Sequence, residues 1–442
     1  MKLKLKDIAE YCGGKLYGNG DVEVTGFFTD SRQAYKGGMF IPIRGERVDG
    51  HKFIPNIFEA GCEATFSEME LESGNYVLVD DSRRAFQKTA AAYRQQFDIP
   101  VLGITGSVGK TTTKEFVSLA LESQLKVLKT AGNANSQVGL PITVFRIEPE
   151  HECAVLELGM SMPGEMERIS AVAKVNTAII TNIGVSHIEF HGTKENILAQ
   201  KFHIADYVPE DGIILVNGDD ELLAPLKAKD SRIRLYGIGD NCDYRAENVE
   251  TFTDRSEFIY KGEKVVVPAP GIHNVGNALA ALAAAEVLGL DIKKAIAAIG
   301  TYLPQDRRQQ IKSFGKITVI DDSYNASPDS VISALRILGN YKTRKIAVLA
   351  DMLELGAYSE KGHRDVGKEA RKQADFLIAV GKLAKFIHEE FGDAENSRYF
   401  ETKDEANSFL ETLIEAGDTI LVKGSNSTGI SQVVNHLKEK YE

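Results

Sequence analysis

The chain has no tryptophan, only 12 prolines and only four cysteines in 442 residues. The missing tryptophan decides nothing. Cys12, Cys62, Cys153 and Cys242 are scattered with no Cys-x-x-Cys spacing, so there is no paired-cysteine motif, and they read as reduced, mostly buried thiols of a cytoplasmic protein. No stretch approaches the roughly 18 consecutive apolar residues of a membrane span. The start, Met1-Lys-Leu-Lys-Leu-Lys-Asp7, alternates and lacks the apolar segment of a secretory signal. Positive charge is also short: 52 lysines and arginines face 63 carboxylates, a net charge of −11. A nucleic acid or an anionic membrane is therefore excluded as the main partner. There is no internal repeat and no low-complexity tract.

What is present is a regular alternation. A chain of this length makes about two to four domains. Residues 1–97 alternate short strand-like runs (Lys15–Tyr17, Val22–Val24, Gly38–Ile43, Tyr76–Val79) with turns. Apolar runs at 101–104, 153–158, 177–183 and 212–216, with helical patterns between them, predict a parallel α/β sheet. Residues 232–270 are more strand-like and turn-rich, as in an added hairpin, and the Ala-rich stretch 274–288 predicts a buried helix. After the linker-like Leu303-Pro304-Gln305-Asp306, strand-like runs at 317–320, 346–350, 376–380 and 419–422 predict a second doubly wound unit, Rossmann-like but without its own phosphate loop. The fold class is therefore α/β in three domains: 1–97, of mixed α/β type, 98–311 and 312–442.

Residues 103–113 carry the most information. Thr105-Gly106-Ser107-Val108-Gly109-Lys110-Thr111-Thr112 joins an apolar strand to a helix-compatible segment, 113–123. Such a turn aims backbone N–H groups at one point and sets an anion on a helix N-terminus. Lys110 would reach the β- and γ-phosphates, and the Thr111 hydroxyl would hold Mg²⁺. Ile104 stands where the strict Walker A pattern has its first glycine. A glycine-rich turn that binds nothing is the plain alternative, but folding alone does not call for Lys-Thr directly after it. The reading is a nucleoside triphosphate site.

Other candidates gather at strand ends. Glu157 closes an apolar run just before a glycine turn, where a carboxylate either ligates Mg²⁺ or is a surface charge; the phosphate loop favours the metal role. His187 ends the run Thr181-Asn-Ile-Gly-Val-Ser-His, either as an ordinary histidine or as a second cation ligand. Lys201 lies in a helical segment, 194–207; near metal its charge would have to be removed, as carbamylation by CO₂ does. Asn274 and Asn277 precede or open the Ala-rich helix, either as caps or as readers of a base edge. Asp322, Tyr324 and Asn325 follow a C-terminal strand, where an acid commonly meets a ribose hydroxyl. The segments 349–356 and 423–427 end two further strands of the same unit, so three polar, glycine-containing loops share one sheet edge.

Taken together, these segments resemble the Mur ligase family over essentially the whole chain. The resemblance rests on Thr105–Thr111, Gly132-Asn133-Ala-Asn135, Glu157-Leu-Gly, Asn182–His187, His273-Asn274 with Asn277, Asp322-Ser-Tyr-Asn-Ala, Met352-Leu-Glu-Leu-Gly and Lys423-Gly-Ser. Asp30-Ser31-Arg32 and the segment Met39–His51 are similar to the uridine-nucleotide domain of members that add the third residue or the terminal dipeptide. The Gly-x-Gly-x-x-Gly of members adding the first two residues is missing there. The Asp-Asn-Pro-Arg motif of the diaminopimelate-adding members is also absent, and folylpolyglutamate synthases place their phosphate loop much nearer the N-terminus. The chain departs from its group at Ser136, at Phe202-His203 and at Asn426, which bears on acceptor selectivity and fine geometry rather than on fold.

The resemblance implies a cytoplasmic ATP-dependent ligase of peptidoglycan precursor synthesis. It would join UDP-N-acetylmuramoyl-tripeptide to D-alanyl-D-alanine through an acyl phosphate, acting as a monomer. It implies two Mg²⁺ ions, one on Thr111 and Glu157 and one on His187 and a carbamate formed on Lys201. Lys110, His187 and Lys201 would be the catalytic set. ATP would meet the loop 105–112, Asn274, Asn277, Asp322 and an arginine, Arg307 or Arg308, with Arg308 preferred. Substrate would meet Ser31, Arg32, Asn133, Asn135, Tyr324 and Asn325. A D-Ala-D-Ser or D-Ala-D-lactate acceptor, or a nucleotide switch without catalysis, are the rival readings.

Overall fold

A computed structural model describes residues 1–45 and 48–442; Glu46 and Arg47, inside the Met39–His51 motif, lie outside the described residues. The N-terminal part builds a five-stranded sheet in the order 15–17, 76–78, 64–67, 38–40, 26–28, parallel except at its first pair. A two-stranded pair, Leu3–Lys4 with Glu23–Val24, stands beside it. Helix Ser82–Arg94 starts at Asp81, whose carboxylate accepts from Arg84 N at 2.9 Å, satisfying one of the free amides of the first turn. That helix fastens the N-terminal part to the central one: Tyr93 Oη donates to Ile147 O at 2.7 Å, and the Phe86 and Tyr93 rings lie 5.6 and 5.3 Å from Phe145.

The central sheet has seven parallel strands in the order 244–245, 233–237, 213–217, 177–180, 101–105, 153–157, 127–129. Its middle strands are buried on both faces, which is why they read as unbroken apolar runs. Register aligns Glu157 with Ile104 and Ile180 with Thr105. The phosphate loop, the Glu157 turn and the Asn182–His187 segment therefore leave the sheet side by side, at the carboxyl edge where open α/β sheets bind ligands. Helix Ile272–Val287 packs on helix Lys110–Glu122, its alanines allowing a close approach, and is buried almost all round. The expected hairpin region is a three-stranded antiparallel sheet, 247–251, 256–260 and 263–267.

The C-terminal sheet has six strands in the order 310–314, 317–321, 419–423, 345–350, 376–380, 397–400, parallel except for the first pair. It begins at Gln310, so its first strand crosses the break read after 311. Gln310–Phe314 and Ser397–Phe400 are edge strands with mixed exposure, and neither shows the apolar run that marked the other four. The segment 194–207 is helical only to Phe202, with a 3₁₀ turn over His203–Ala205.

Candidate active site

The carboxyl edges of the central and C-terminal sheets face each other across a cavity of about 450 Å³. On the central side the phosphate loop passes from Thr105 to helix Lys110–Glu122 through two left-handed glycines, Gly106 (φ +148°) and Gly109 (φ +86°). A Cβ on Gly106 would run into Thr181 Oγ1, so no larger residue fits this turn. The loop is clamped from below by the start of the segment that ends at His187. Thr181 Oγ1 donates to Val108 O at 2.6 Å, and Asn182 both accepts from Val108 N and donates to Val108 O, at 3.0 and 2.9 Å.

Lys110 Nζ donates to Gly106 O at 2.9 Å and Ser107 O at 3.4 Å. Burial pulls its ammonium below the ordinary 10.5, while the nearby Glu157 charge acts in the opposite sense. Glu157, 2 % exposed, takes Thr111 Oγ1 at 3.2 Å and Asn135 Nδ2 at 2.7 Å on one oxygen, Oε1. Its Oε2 is buried without a hydrogen-bond partner. A buried, unpaired carboxylate oxygen is costly, and a divalent cation shared with phosphate oxygens is the partner that suits it. Among the described residues, no three His, Cys, Asp or Glu side chains gather to hold a metal alone.

His187 lines the cavity with left-handed backbone, φ +64°. Its Nδ1 lies in close contact with Glu354 Oε2 of the C-terminal domain. The His187 ring beside it holds the Glu354 carboxyl below its usual range, against the opposing effect of burial. Lys201 is 1 % exposed, and its Nζ has no ion pair among the described residues. Burial, and then the charge of Lys110, push it well below 10.5. Lys201 does not itself line the cavity.

The start of helix Ile272–Val287 adds a chain of amides. Asn277 Oδ1 accepts from Thr113 Oγ1 at 3.0 Å and its Nδ2 donates to Asn274 Oδ1 at 3.2 Å. Asn274 Nδ2 donates to Pro270 O at 2.8 Å and Gln309 Oε1 at 3.1 Å. Neither asparagine caps the helix, whose first cap is Gly271. Gln309 N donates to Asp322 Oδ1 at 3.2 Å, and Lys423 Nζ pairs with Asp322 Oδ2 at 2.6 Å. Arg308 lines the cavity with its guanidinium 3.9 Å from the Tyr324 ring, whereas Arg307 turns to Asn426 Oδ1 at 3.4 Å. Asn133, Tyr324 and Asn325 line the same cavity.

Besides Lys201, the sequence candidates Ser31, Arg32, Thr105 and Gly106 do not line the cavity. Ser31 and Arg32 form a short 3₁₀ turn in the N-terminal domain, Arg32 exposed and paired with Asp30 at 2.6 Å. That pairing holds the Asp30 carboxyl down at about 2. Thr105, the last residue of its strand, is fully buried and does not line the cavity. Sequence reasoning missed Gln309, which carries no motif, and missed the clamping role of Thr181 and Asn182, which it read only as part of the run ending at His187. Only their contacts across the fold reveal them.

A phosphate loop, an acid with a free buried oxygen and a second α/β domain closing over them define an ATP-dependent ligase built from three domains, and the chain belongs to the Mur ligase family. Residues 23–100 match the Mur ligase family catalytic domain, 104–285 the Mur ligase middle domain and 306–426 the Mur ligase glutamate ligase domain. Within the family, the chain is 37% identical to the UDP-N-acetylmuramoyl-tripeptide--D-alanyl-D-alanine ligase of Bacillus subtilis (strain 168) and 32% identical to that of Escherichia coli (strain K12), in each case over 99% of both chains. The crystal structure of MurF from Acinetobacter baumannii superposes with a TM-score of 0.94 at 28% identity over 99% of both chains. MurF ligase from Thermotoga maritima in complex with ADP gives 0.85 at 25% identity over 94% of this chain and 97% of that one.

Proposed function

We propose that the chain joins D-alanyl-D-alanine to UDP-N-acetylmuramoyl-tripeptide at the expense of ATP, yielding the pentapeptide, ADP and phosphate. The observation that carries this is Glu157 Oε2, buried and unpaired beside Thr111 and the phosphate loop, in a cavity shared by two domains. A carboxylate is a poor electrophile at neutral pH. Transfer of the γ-phosphoryl group to the tripeptide carboxylate replaces an oxide with a leaving group; the dipeptide amine then attacks and phosphate departs from the tetrahedral adduct. Catalysis is positioning and charge neutralisation. Lys110 and the loop amides hold the phosphates. Asn274, Asn277 and Asp322 meet the adenosine, and Arg308 reaches the phosphates from the domain junction. Asn133, Asn135, Tyr324 and Asn325 face the donor and acceptor, and Ser31 and Arg32 seat the uridine end in the N-terminal domain. The N-terminal domain, 1–97, takes the donor's nucleotide, the central domain takes ATP, and the C-terminal domain, whose sheet starts at Gln310 rather than after 311, serves closure and the acceptor; the enzyme works as a cytoplasmic monomer.

Thr111 and Glu157 would hold one Mg²⁺, and His187 with a carbamate on Lys201 a second. These ions would neutralise phosphoryl oxygens as charge develops. Lys201 fits this role because it is buried without a counter-charge, which pushes its ammonium well below the usual range and so favours the neutral amine, the form that adds CO₂. The test is phosphate release with ATP and Mg²⁺, omitting each substrate in turn, with lysine- and diaminopimelate-type donors. Release that needs both partners, with a pentapeptide by mass, is expected. Release with neither marks a nucleotide switch, and release only with D-Ala-D-Ser or D-Ala-D-lactate reassigns the acceptor.

A further inference from the structure

The loop that follows strand Lys345–Ala350 reaches out of the C-terminal domain and settles on the central-domain segment carrying His187. Three contacts define the seat. Glu354 Oε2 faces His187 Nδ1; Glu189 N donates to Glu354 O at 3.4 Å; and a Cβ on Gly356 would come within 3.1 Å of Glu189 Cα. A fourth contact lies beside them, where Val185 N donates to Asp329 Oδ2 at 3.2 Å. His187 (φ +64°) and Glu354 (φ +61°), the two residues that meet, are both non-glycine residues in left-handed backbone. Such strain persists where surrounding structure imposes it and clusters at functional sites. The loop is also fixed from within its own domain. Met352 N donates to His363 Nε2 at 3.0 Å and Leu353 N to Ser425 Oγ at 2.9 Å.

We propose that Glu354 is the positioning residue of His187, delivered by the C-terminal domain when it closes. A histidine that binds a cation through one ring nitrogen almost always presents its other N–H to a carboxylate or carbonyl, which fixes tautomer and ring orientation. Nδ1 of His187 has no other partner among the described residues, which leaves Nε2 for the cavity that His187 lines. In most such sites the supporting carboxylate belongs to the same rigid body as the ligand. Here it comes from another domain, so the histidine is oriented only when the two sheet edges are together. Closure and completion of the cation site become one event, and an open enzyme carrying ATP is kept from spending it. This rests on the reading of His187 as a cation ligand.

The experiment labels the protein with [¹⁵N]histidine and compares wild type, Glu354→Ala and Glu354→Gln, with His187→Asn assigning the ring signals. Spectra are recorded with a non-hydrolysable ATP analogue and donor, and Mn²⁺ affinity is followed by electron paramagnetic resonance in the same samples. Wild type is expected to hold His187 as the Nδ1–H tautomer. Glu354→Ala is expected to mix the two tautomers and to weaken Mn²⁺ binding and kcat about 10–100-fold, with KM for the dipeptide unchanged. Glu354→Gln, which keeps an acceptor oxygen, is expected to fall between. Ring signals and Mn²⁺ affinity unchanged in Glu354→Ala overturn the proposal. Unchanged Mn²⁺ affinity and turnover in His187→Asn instead remove the reading of His187 itself.

Discussion

At the scale of single residues, the site is built from buried polar groups whose bonding capacity is only partly used. Glu157 has one oxygen committed to Thr111 and Asn135 and the other unpaired. Glu157→Gln removes the charge while keeping the shape and the Oε1 contacts. It is expected to lower kcat by about 10²–10³, the loss that follows removal of one preorganised charge partner, while thermal unfolding shows equal or higher stability because a buried unpaired anion is gone. Arg307 and Arg308 are neighbours in sequence with different surroundings. Arg308→Ala is expected to raise KM for ATP, and Arg307→Ala, which removes the Asn426, Tyr324 and Asp306 contacts, to leave it near wild type. Steady-state kinetics of the pair decides this. For Lys201, ¹³CO₂ should give a carbamate resonance in wild type that is missing from Lys201→Ala, with activity of that variant restored by short carboxylates. A fully active Lys201→Ala without additive would remove the carbamate role.

At the scale of elements, turns carry the function and strands only aim them. The phosphate loop depends on Gly106, where φ is +148° and Thr181 lies directly against the missing Cβ. Gly106→Ala is expected to destabilise the protein by about 1–3 kcal/mol and to abolish nucleotide binding, read by denaturant unfolding and by titration with ADP. The loop 352–358 depends on His363, which is completely buried, accepts from Met352 N through Nε2 and holds Ser359 O through Nδ1. Burial pushes its imidazole below the ordinary 6.5, so the folded form keeps it neutral. As pH falls through 6.5 the unfolded chain takes up the proton first, and stability drains away down to the lowered folded value. Melting temperatures between about pH 8 and pH 5 should therefore decline more steeply in wild type than in His363→Leu. The variant starts lower at the alkaline end because the Met352 amide has lost its acceptor.

At the scale of the whole molecule, the candidate site is a cavity between domains rather than inside one. Gln309 ties the two sides of the junction, bonded to Asn274 on the central helix and to Asp322 on the C-terminal strand end, with positive φ at Arg307 and Gln309 bracketing Arg308. The closed contacts beyond this junction include Asp329 on Val185 and Glu354 on His187. Each is a partly exposed polar contact worth on the order of 1 kcal/mol or less, so closure is finely balanced and bound ligand can shift it. The double variant Asp329→Ala with Glu354→Ala should scatter X-rays as a more extended particle than wild type in the absence of ligand. Adding the ATP analogue with donor should shrink the difference; identical scattering profiles would show that these contacts do not hold the domains together.

Much of this was legible in the chain. The apolar runs that became central strands are continuous because both faces of a parallel sheet are buried. The phosphate loop is readable because its glycines, lysine and threonine must be adjacent in sequence to be adjacent in space. Edge strands such as Gln310–Phe314 were not legible, since half-exposed strands need no apolar run. The sequence by itself determined the fold class, the phosphate-loop motif and the family, all of which rest on local patterns in fixed order. Only the tertiary structure decided that Asn182 clamps Val108, that Gln309 joins the two domains, that Arg308 rather than Arg307 lines the cavity, and that Glu354 meets His187. These partners lie far apart along the chain or differ only in backbone conformation, and parallel register together with domain docking sets their distances.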